Sequence, residues 1–469
     1  MKFSTITALA ITAAAAAIPA LRSGGGQPPN VLLITVDTLR ADHLHCYGQS
    51  MPTSPNIDAL AARGVLFERA IAASGYTGPA HSSIMTGRYP RRNSNGFSNG
   101  LLALDGVETL AEAFRQAGYD TAAFVSNGVL AARSGLNHGF AAYDDELPDP
   151  EPNRAVSERV APQTLERALA WLARPRTQPF FLWVHFQDPH GPYTPPPPYR
   201  DRFRVPAAGG EPELRVLDDD SGQGGIPRYQ FVEGSRRASD YRSRYSGEIA
   251  FMDQSVGTLL AAVDQQGPAV VALTADHGES FGENGFYFAH GQSAAPDLSH
   301  VPLIISAPGL RSGHRPEPVS HVDIMPTLLE LAGRPQPADV DGIPLGPVLR
   351  TGAGMPARAV FCDIGYEVGT YGPDEFLLAA VPEPKSWTLE LFYEEGRADR
   401  SLAVAGHGDL TATQAFRWSG GPTWSARDPD PQLATRLASY LAGTSAVGSP
   451  VALSPADRER LRLLGYGSP

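Results

Sequence analysis

Asn30-Val31-Leu32-Leu33-Ile34-Thr35-Val36-Asp37 is an almost unbroken apolar run that ends on a carboxylate. With no polar alternation, it reads as a strand buried on both faces, as in a parallel sheet covered by helices. The pattern recurs along the chain. Residues 121–125 follow a helical stretch over 107–117 that Gly118 closes, and 180–185 follow a helical 164–173. Residues 269–274 follow 245–263, where apolar residues repeat at the helical period. Strands alternating with helices specify an α/β fold, with a central, mostly parallel sheet and helices on both faces. In such folds chemistry gathers beyond the carboxyl ends of the strands. Asp37, Asp188 and Asp276 all stand there.

Working outward, residues 28–350 form the expected catalytic domain. Within it, 206–240 is rich in Gly, Asp and Arg and lacks periodicity, so it reads as a surface insertion that either covers the site mouth or hangs loose. Residues 355–469 are expected to be a smaller α+β subdomain, with a strand over 387–393 and a closing helix over 457–464. Residues 1–20 have the form of a signal peptide: Lys2, an Ala-rich apolar run, and small residues at a cut near Ala17 or Ala20. Export to a periplasm or the medium follows, with no other run long enough to span a bilayer.

The 469 residues carry a net charge of −12, which argues against a nucleic-acid partner. Cys46 and Cys362, far apart in sequence, read as two small buried residues rather than a metal cluster.

Four segments carry candidate chemistry. Thr274-Ala275-Asp276-His277-Gly278-Glu279 follows a strand, so an adjacent carboxylate and imidazole can face a divalent cation, with Gly278 easing the backbone turn. Asp37 offers a further hard oxygen. Around Thr77, the sequence Ser74-Gly75-Tyr76-Thr77-Gly78-Pro79-Ala80-His81 sets a hydroxyl in a turn that opens a helix, whose N–H groups suit an anionic ester. Taken alone, a Thr between glycines is an ordinary turn residue. Asp188-Pro189-His190-Gly191 and Ala289-His290-Gly291 add two histidines at the same sheet edge. These are candidates for a leaving-group acid, oxyanion contacts or a second metal, with Asp188 beside them as a candidate substrate contact.

Together these segments resemble the sulfatase branch of the alkaline phosphatase superfamily over nearly the whole chain. The likeness includes Leu39-Arg40-Ala41-Asp42, Pro55-Asn56-Ile57-Asp58, Thr86-Gly87-Arg88-Tyr89-Pro90, Ser320-His321-Val322-Asp323 and Leu463-Leu464-Gly465-Tyr466. The resemblance implies an alkaline phosphatase-like fold and a metal-dependent ester hydrolase. This chain departs from it at telling positions. Where sulfatases carry a cysteine oxidised to formylglycine, then Pro and Arg, it has Thr77, Pro79 and His81. Thr38 replaces a second Asp, His277 an Asn, and His290 a Lys. In these respects it is similar to phosphoryl-transferring branches that use a metal-bound threonine, among them nucleotide pyrophosphatase/phosphodiesterases, phosphoethanolamine transferases and lipoteichoic acid synthases.

The expected machinery is therefore Thr77 as nucleophile on one divalent ion held by Asp37, Thr77, Asp276 and His277, with a second metal left open. His81, His190 and His290 complete the catalytic candidates, and His190, His290 and Asp188 the substrate contacts. A histidine ligand favours zinc or manganese, with calcium the alternative. The substrate is a small-molecule, glycan-linked or lipid-linked sulfate or phosphate ester. A threonine sulfate has no hemiacetal route of release, which favours phosphorus. A catalytically silent binding protein and a phosphoryl transferase are the competing readings.

Overall fold

The structure is a computed structural model that describes residues 28–93, 99, 104, 106–148, 157–283, 285–355, 357–365, 367–373, 375–380, 414–418, 424–427 and 430–443. The leader expected over 1–20, the strand expected at 387–393 and the helix expected at 457–464 lie outside the described residues.

A large sheet takes its first strands as β1 (Asn30–Val36), β2 (Val65–Ile71), β3 (Asp120–Phe124), β4 (Ala142–Asp144), β5 (Phe180–Phe186) and β6 (Ala269–Ala275). After a short hairpin of β7 (Ser280–Phe281) and β8 (Tyr287–Ala289) come β9 (His300–Val301), β10 (Leu303–Ser306) and β11 (Gly313–Ser320). Their order is β11-β2-β10-β6-β1-β5-β3-β4, with β9 paired to β2. The apolar opening run sits at the centre, parallel to β5 and β6, and Val31 through Val36 are buried. Burial on both faces is what its missing alternation required.

Two neighbouring strands depart from the expected pattern, the two-residue β9, which runs antiparallel to β2, and β10. β10 lies antiparallel between β6 and β2. The chain reaches it from β6 through the β7–β8 hairpin and a short helix, without a long helical crossover, and only a crossover returns a strand in parallel.

The helices are α1 (Pro55–Arg63), α2 (Thr77–Thr86), α3 (Leu110–Gln116), α4 (Ala161–Leu172), α5 (Ala238–Asp264), α6 (Pro296–Ser299) and α7 (Ile324–Leu331), with α8 (Gly346–Thr351) beyond. α5 packs on α1 and α4, while α2 packs on α3 and α7, which gives the sheet its two covers. α3 begins later than periodicity suggests because Thr109 caps it. Its Oγ1 accepts the Glu112 N–H at 3.1 Å, and Glu112 returns the bond to the Thr109 N–H at 2.9 Å. Gly118, at φ 83°, then turns the chain away in the left-handed conformation.

A second, antiparallel sheet runs β12 (Val360–Asp363), β13 (Glu367–Tyr371), β14 (Glu375–Ala380), β15 (Gln414–Arg417) and β16 (Ser425–Arg427), with α9 (Pro431–Gly443) against it. It is tied to the main body by the Asp363 N–H on the Ala73 carbonyl at 2.9 Å and by Arg91 on the Asp363 carboxylate. Cys46 is partly buried and Cys362 buried, both as free thiols. Among the described residues no helix is long and apolar enough to cross a membrane.

Candidate active site

β1 and β6 are neighbours, so Asp37 and Asp276 leave the sheet side by side, one residue beyond each strand. His277 comes next, and ligand atoms of Asp37, Asp276 and His277 all lie within 4.8 Å of one another. Thr77 is the first residue of α2, and its Oγ1 lies 3.3 Å from His277 Nε2. Three segments distant in sequence thus meet at one point, with Thr77 only 1 % exposed.

The cluster is electrostatically incomplete without a cation. Asp37 Oδ1 and Asp276 Oδ2 are buried with no hydrogen-bond partner. Their other oxygens are held: Asp37 Oδ2 by Asn127 Nδ2 at 3.0 Å, and Asp276 Oδ1 by the N–H groups of Thr38 at 3.1 Å and His277 at 2.8 Å. Burial and the neighbouring Asp276 raise the Asp37 carboxyl well above its usual range, and burial pushes Asp276 up to about 7. Burial holds the His277 ring neutral, with His290 adding to the effect. Its Nδ1–H donates to the Gly278 carbonyl at 3.0 Å, which leaves the Nε2 lone pair toward Thr77 and the carboxylates. Two orphaned carboxylate oxygens beside a neutral imidazole lone pair fit a divalent ion.

The two outer histidines gather here as well. The His290 ring stacks on His277 with centroids 4.4 Å apart, and His190 sits edge-on to His290 at 5.2 Å. Both are partly exposed, unlike the cluster beneath them. Glu279 orients His290 through Oε1 at 3.2 Å from Nδ1, and Tyr193 fixes the other Glu279 oxygen at 2.8 Å. Segment 206–240 packs against this edge: the Tyr229 ring lies 6.4 Å from His190, and Gln230 Nε2 donates to the Phe288 carbonyl at 3.2 Å.

Two expected site residues have other work. His81 spends both ring nitrogens inside the protein, Nδ1 on the Thr77 carbonyl at 2.8 Å and Nε2 on Thr35 Oγ1 at 3.0 Å. It ties the first turn of α2 to β1, and both its ring nitrogens are already occupied. The Asp188 carboxylate accepts the Ala161 N–H at 2.6 Å and so caps the first turn of α4.

Asn99 and Asn127 were invisible to pattern reading, since single amides outside any repeat carry no spacing signal. Asn99 Oδ1 accepts the Gly78 N–H at 2.7 Å, in the first turn of α2, and its Nδ2 is left buried and unpartnered.

Backbone fit here is tight. Gly278 is needed less for a turn than for space, because a Cβ there would lie 2.1 Å from the Asp297 carbonyl oxygen. Gly278→Ala is expected to destabilise the protein by about 1–3 kcal/mol in denaturant unfolding, since backbone cannot yield as a side chain does. Thr38, a β-branched residue at φ 54°, sits in the left-handed region. Asp276 holds its N–H at 3.1 Å and Tyr245 donates to its carbonyl at 2.6 Å, so the strain is fixed by the site's own contacts.

The family model described as Sulfatase matches residues 29–334. A delta 4,5-hexuronate-2-O-sulfatase of Bacteroides thetaiotaomicron is 28 % identical over 361 residues, covering 69 % of this chain and 72 % of that protein. A multifunctional alkaline phosphatase superfamily protein of Trinickia caryophylli is 27 % identical over 402 residues, covering 69 % and 77 %. Among solved structures, the phosphonate monoester hydrolase of Agrobacterium radiobacter shares the fold at a TM-score of 0.61 and 24 % identity, covering 89 % of this chain and 95 % of that one.

Proposed function

Since the chain belongs to the sulfatase family, within the ester hydrolases of the alkaline phosphatase superfamily, we propose that it is a metal-dependent hydrolase of a phosphate or phosphonate ester. The reaction runs through a covalent ester of Thr77. The observation that carries this reading is the Thr77 hydroxyl beside a buried Asp37–Asp276–His277 cluster, 3.3 Å from His277 Nε2.

Asp37, Asp276, His277 and Thr77 would hold one divalent ion. When bound, that ion supplies the positive charge that lowers the Thr77 hydroxyl pKa and offsets the charge on the ester oxygens. The Thr77 hydroxyl loses its proton to solvent, and its oxygen forms a bond to phosphorus as the bond to the departing alcohol breaks, that alcohol's oxygen taking the electron pair. His290, backed by the Glu279 carboxylate at 3.2 Å, gives the proton to the leaving oxygen, with His190 alongside to orient it. Asn99 Nδ2 supplies a donor for a non-bridging oxygen, and the α2 N-terminus favours the anionic group. Water then gives a proton back to His290 as its oxygen attacks phosphorus and the bond to the Thr77 oxygen breaks, and that oxygen takes up a proton from solvent to restore the hydroxyl.

Threonine cannot release its product as formylglycine does, by collapse of a hemiacetal. A threonine ester must be attacked at its central atom, which favours phosphorus. A sulfate ester is the second reading, supported by relatives named as sulfatases. The organic part is a small molecule or a sugar- or lipid-linked alcohol, and the leader over 1–20 makes export part of the proposal.

Metal-stripped protein given zinc, manganese or calcium is expected to cleave aryl phosphate or phosphonate esters and to leave aryl sulfate largely intact. Preferential cleavage of the sulfate would replace phosphorus by sulfur in this account. No turnover of any ester, with metal bound and the fold intact, would favour a binding protein. Asn99→Ala is expected to lower kcat by about 10²–10³-fold, the scale of losing one preorganised oxyanion donor, with KM much less affected.

A further inference from the structure

β1 and β5 pair with Thr35 opposite His185, which places both at the edge of the ligand cluster. Thr35 Oγ1 has three nitrogen neighbours: Trp183 Nε1 at 2.9 Å, His81 Nε2 at 3.0 Å and His185 Nδ1 at 3.0 Å. The indole N–H can only donate, and a hydroxyl has a single proton to give. Which ring receives that proton is fixed one step away. His81 Nδ1 faces the Thr77 carbonyl at 2.8 Å, and a carbonyl only accepts, so a neutral His81 carries its proton on Nδ1. Its Nε2 is therefore a lone pair, and Thr35 must donate to it. Thr35 then accepts from Trp183, and His185 Nδ1 must be its other donor.

A neutral His185 is left with a bare lone pair on Nε2. That atom is buried, lacks a hydrogen-bond partner, and stands 3.7 Å from Asp37 Oδ2. The ring is fully buried, edge-on to the His81 ring with centroids 4.9 Å apart. An imidazole lone pair and a carboxylate oxygen facing one another away from water repel. A shared cation turns that repulsion into two bonds.

We infer that His185 Nε2 is an additional ligand of the divalent ion held by Asp37, Asp276 and His277. This rests on the metal site proposed above and extends its donor set to two imidazoles and two carboxylates beside the Thr77 hydroxyl. Two imidazoles move the preference from calcium toward zinc. The chain Thr77 carbonyl–His81–Thr35–His185 also links the nucleophile's helix to the metal, so one tautomer choice sets both. The opposite tautomer would make His185 a mere N–H support for Asp37, and the two cases are separable.

The test is NMR of histidine-nitrogen-labelled protein loaded with an NMR-active cadmium isotope in place of zinc. Two imidazole Nε2 signals coupled to cadmium are expected, one of which disappears in His185→Gln while the other stays. The zinc affinity of that variant should fall by about 10²-fold or more, at or beyond the effect of losing an outer-shell partner. A single coupled imidazole in the unsubstituted protein would overturn the inference and leave the Asp37–Asp276–His277 site standing. No coupled imidazole despite bound cadmium would overturn that site as well. The decisive count is made on the unsubstituted chain, so it does not depend on the variant's folding.

Discussion

Thr77→Ala is expected to lower turnover by at least about 10³-fold, because a covalent route has no substitute for its attacking oxygen. Metal content should change much less, since Asp37, Asp276 and His277 remain. That split matters. Activity lost together with metal would make Thr77 a ligand only, whereas activity lost with metal retained marks it as nucleophile. Thr77→Ser keeps a hydroxyl at the head of α2 and should retain measurable turnover. The fold should tolerate both changes, as the Thr77 side chain contacts His277 Nε2 at 3.3 Å and is not the sheet's packing core. Purified variants are compared by initial rate, metal analysis and far-UV circular dichroism.

Asp276→Asn is expected to weaken zinc affinity by on the order of 10²-fold or more and to take activity with it. Asparagine keeps the shape and the oxygen that accepts the Thr38 and His277 N–H groups, but removes the charge. The pH dependence should change in a specific way. Burial raises Asp276 to about 7 in the metal-free fold, so below that pH a proton occupies the oxygen a metal needs. Zinc affinity of the unsubstituted protein should therefore weaken by about one decade per pH unit for each proton displaced below pH 7. The slope should be shallower in Asp276→Asn. Stability has the opposite sign. The folded value of about 7 lies above the ordinary 3.8, so the metal-free fold is most favoured in acid and loses that contribution as pH rises through about 7. Added metal should restore it. Titration calorimetry and thermal unfolding across that range check both.

Much of the fold and the inner cluster was legible because each rests on a repeating physical demand. A strand buried on both faces must be apolar throughout, so residues 30–36 declared themselves, and the carboxylates just past β1 and β6 then fell side by side at one edge of the sheet. Other features had no such signature. β10 is a four-residue strand whose direction depends on its connection, not on its sequence. Asn99 holds the Gly78 N–H through its Oδ1 and leaves its Nδ2 unpartnered, and Asn127 makes one bond to Asp37. His185 hides inside an apolar strand, where a lone polar residue reads as an interruption until Thr35 is seen opposite. His81 misled for the reverse reason: it stands one turn after Thr77, where sequence alone cannot tell that both its nitrogens are already bound.

The covalent threonine ester can be sought by itself. Zinc-loaded protein mixed with excess aryl phosphate or phosphonate ester is quenched in acid within the first turnovers, then digested and mapped by mass spectrometry. The expected result is a peptide containing Thr77 heavier by one phosphoryl or phosphonyl group, absent from Thr77→Ala and from metal-free protein. Substrate turning over with Thr77 unmodified at every quench time, and at an unchanged rate in Thr77→Ala, would contradict the account.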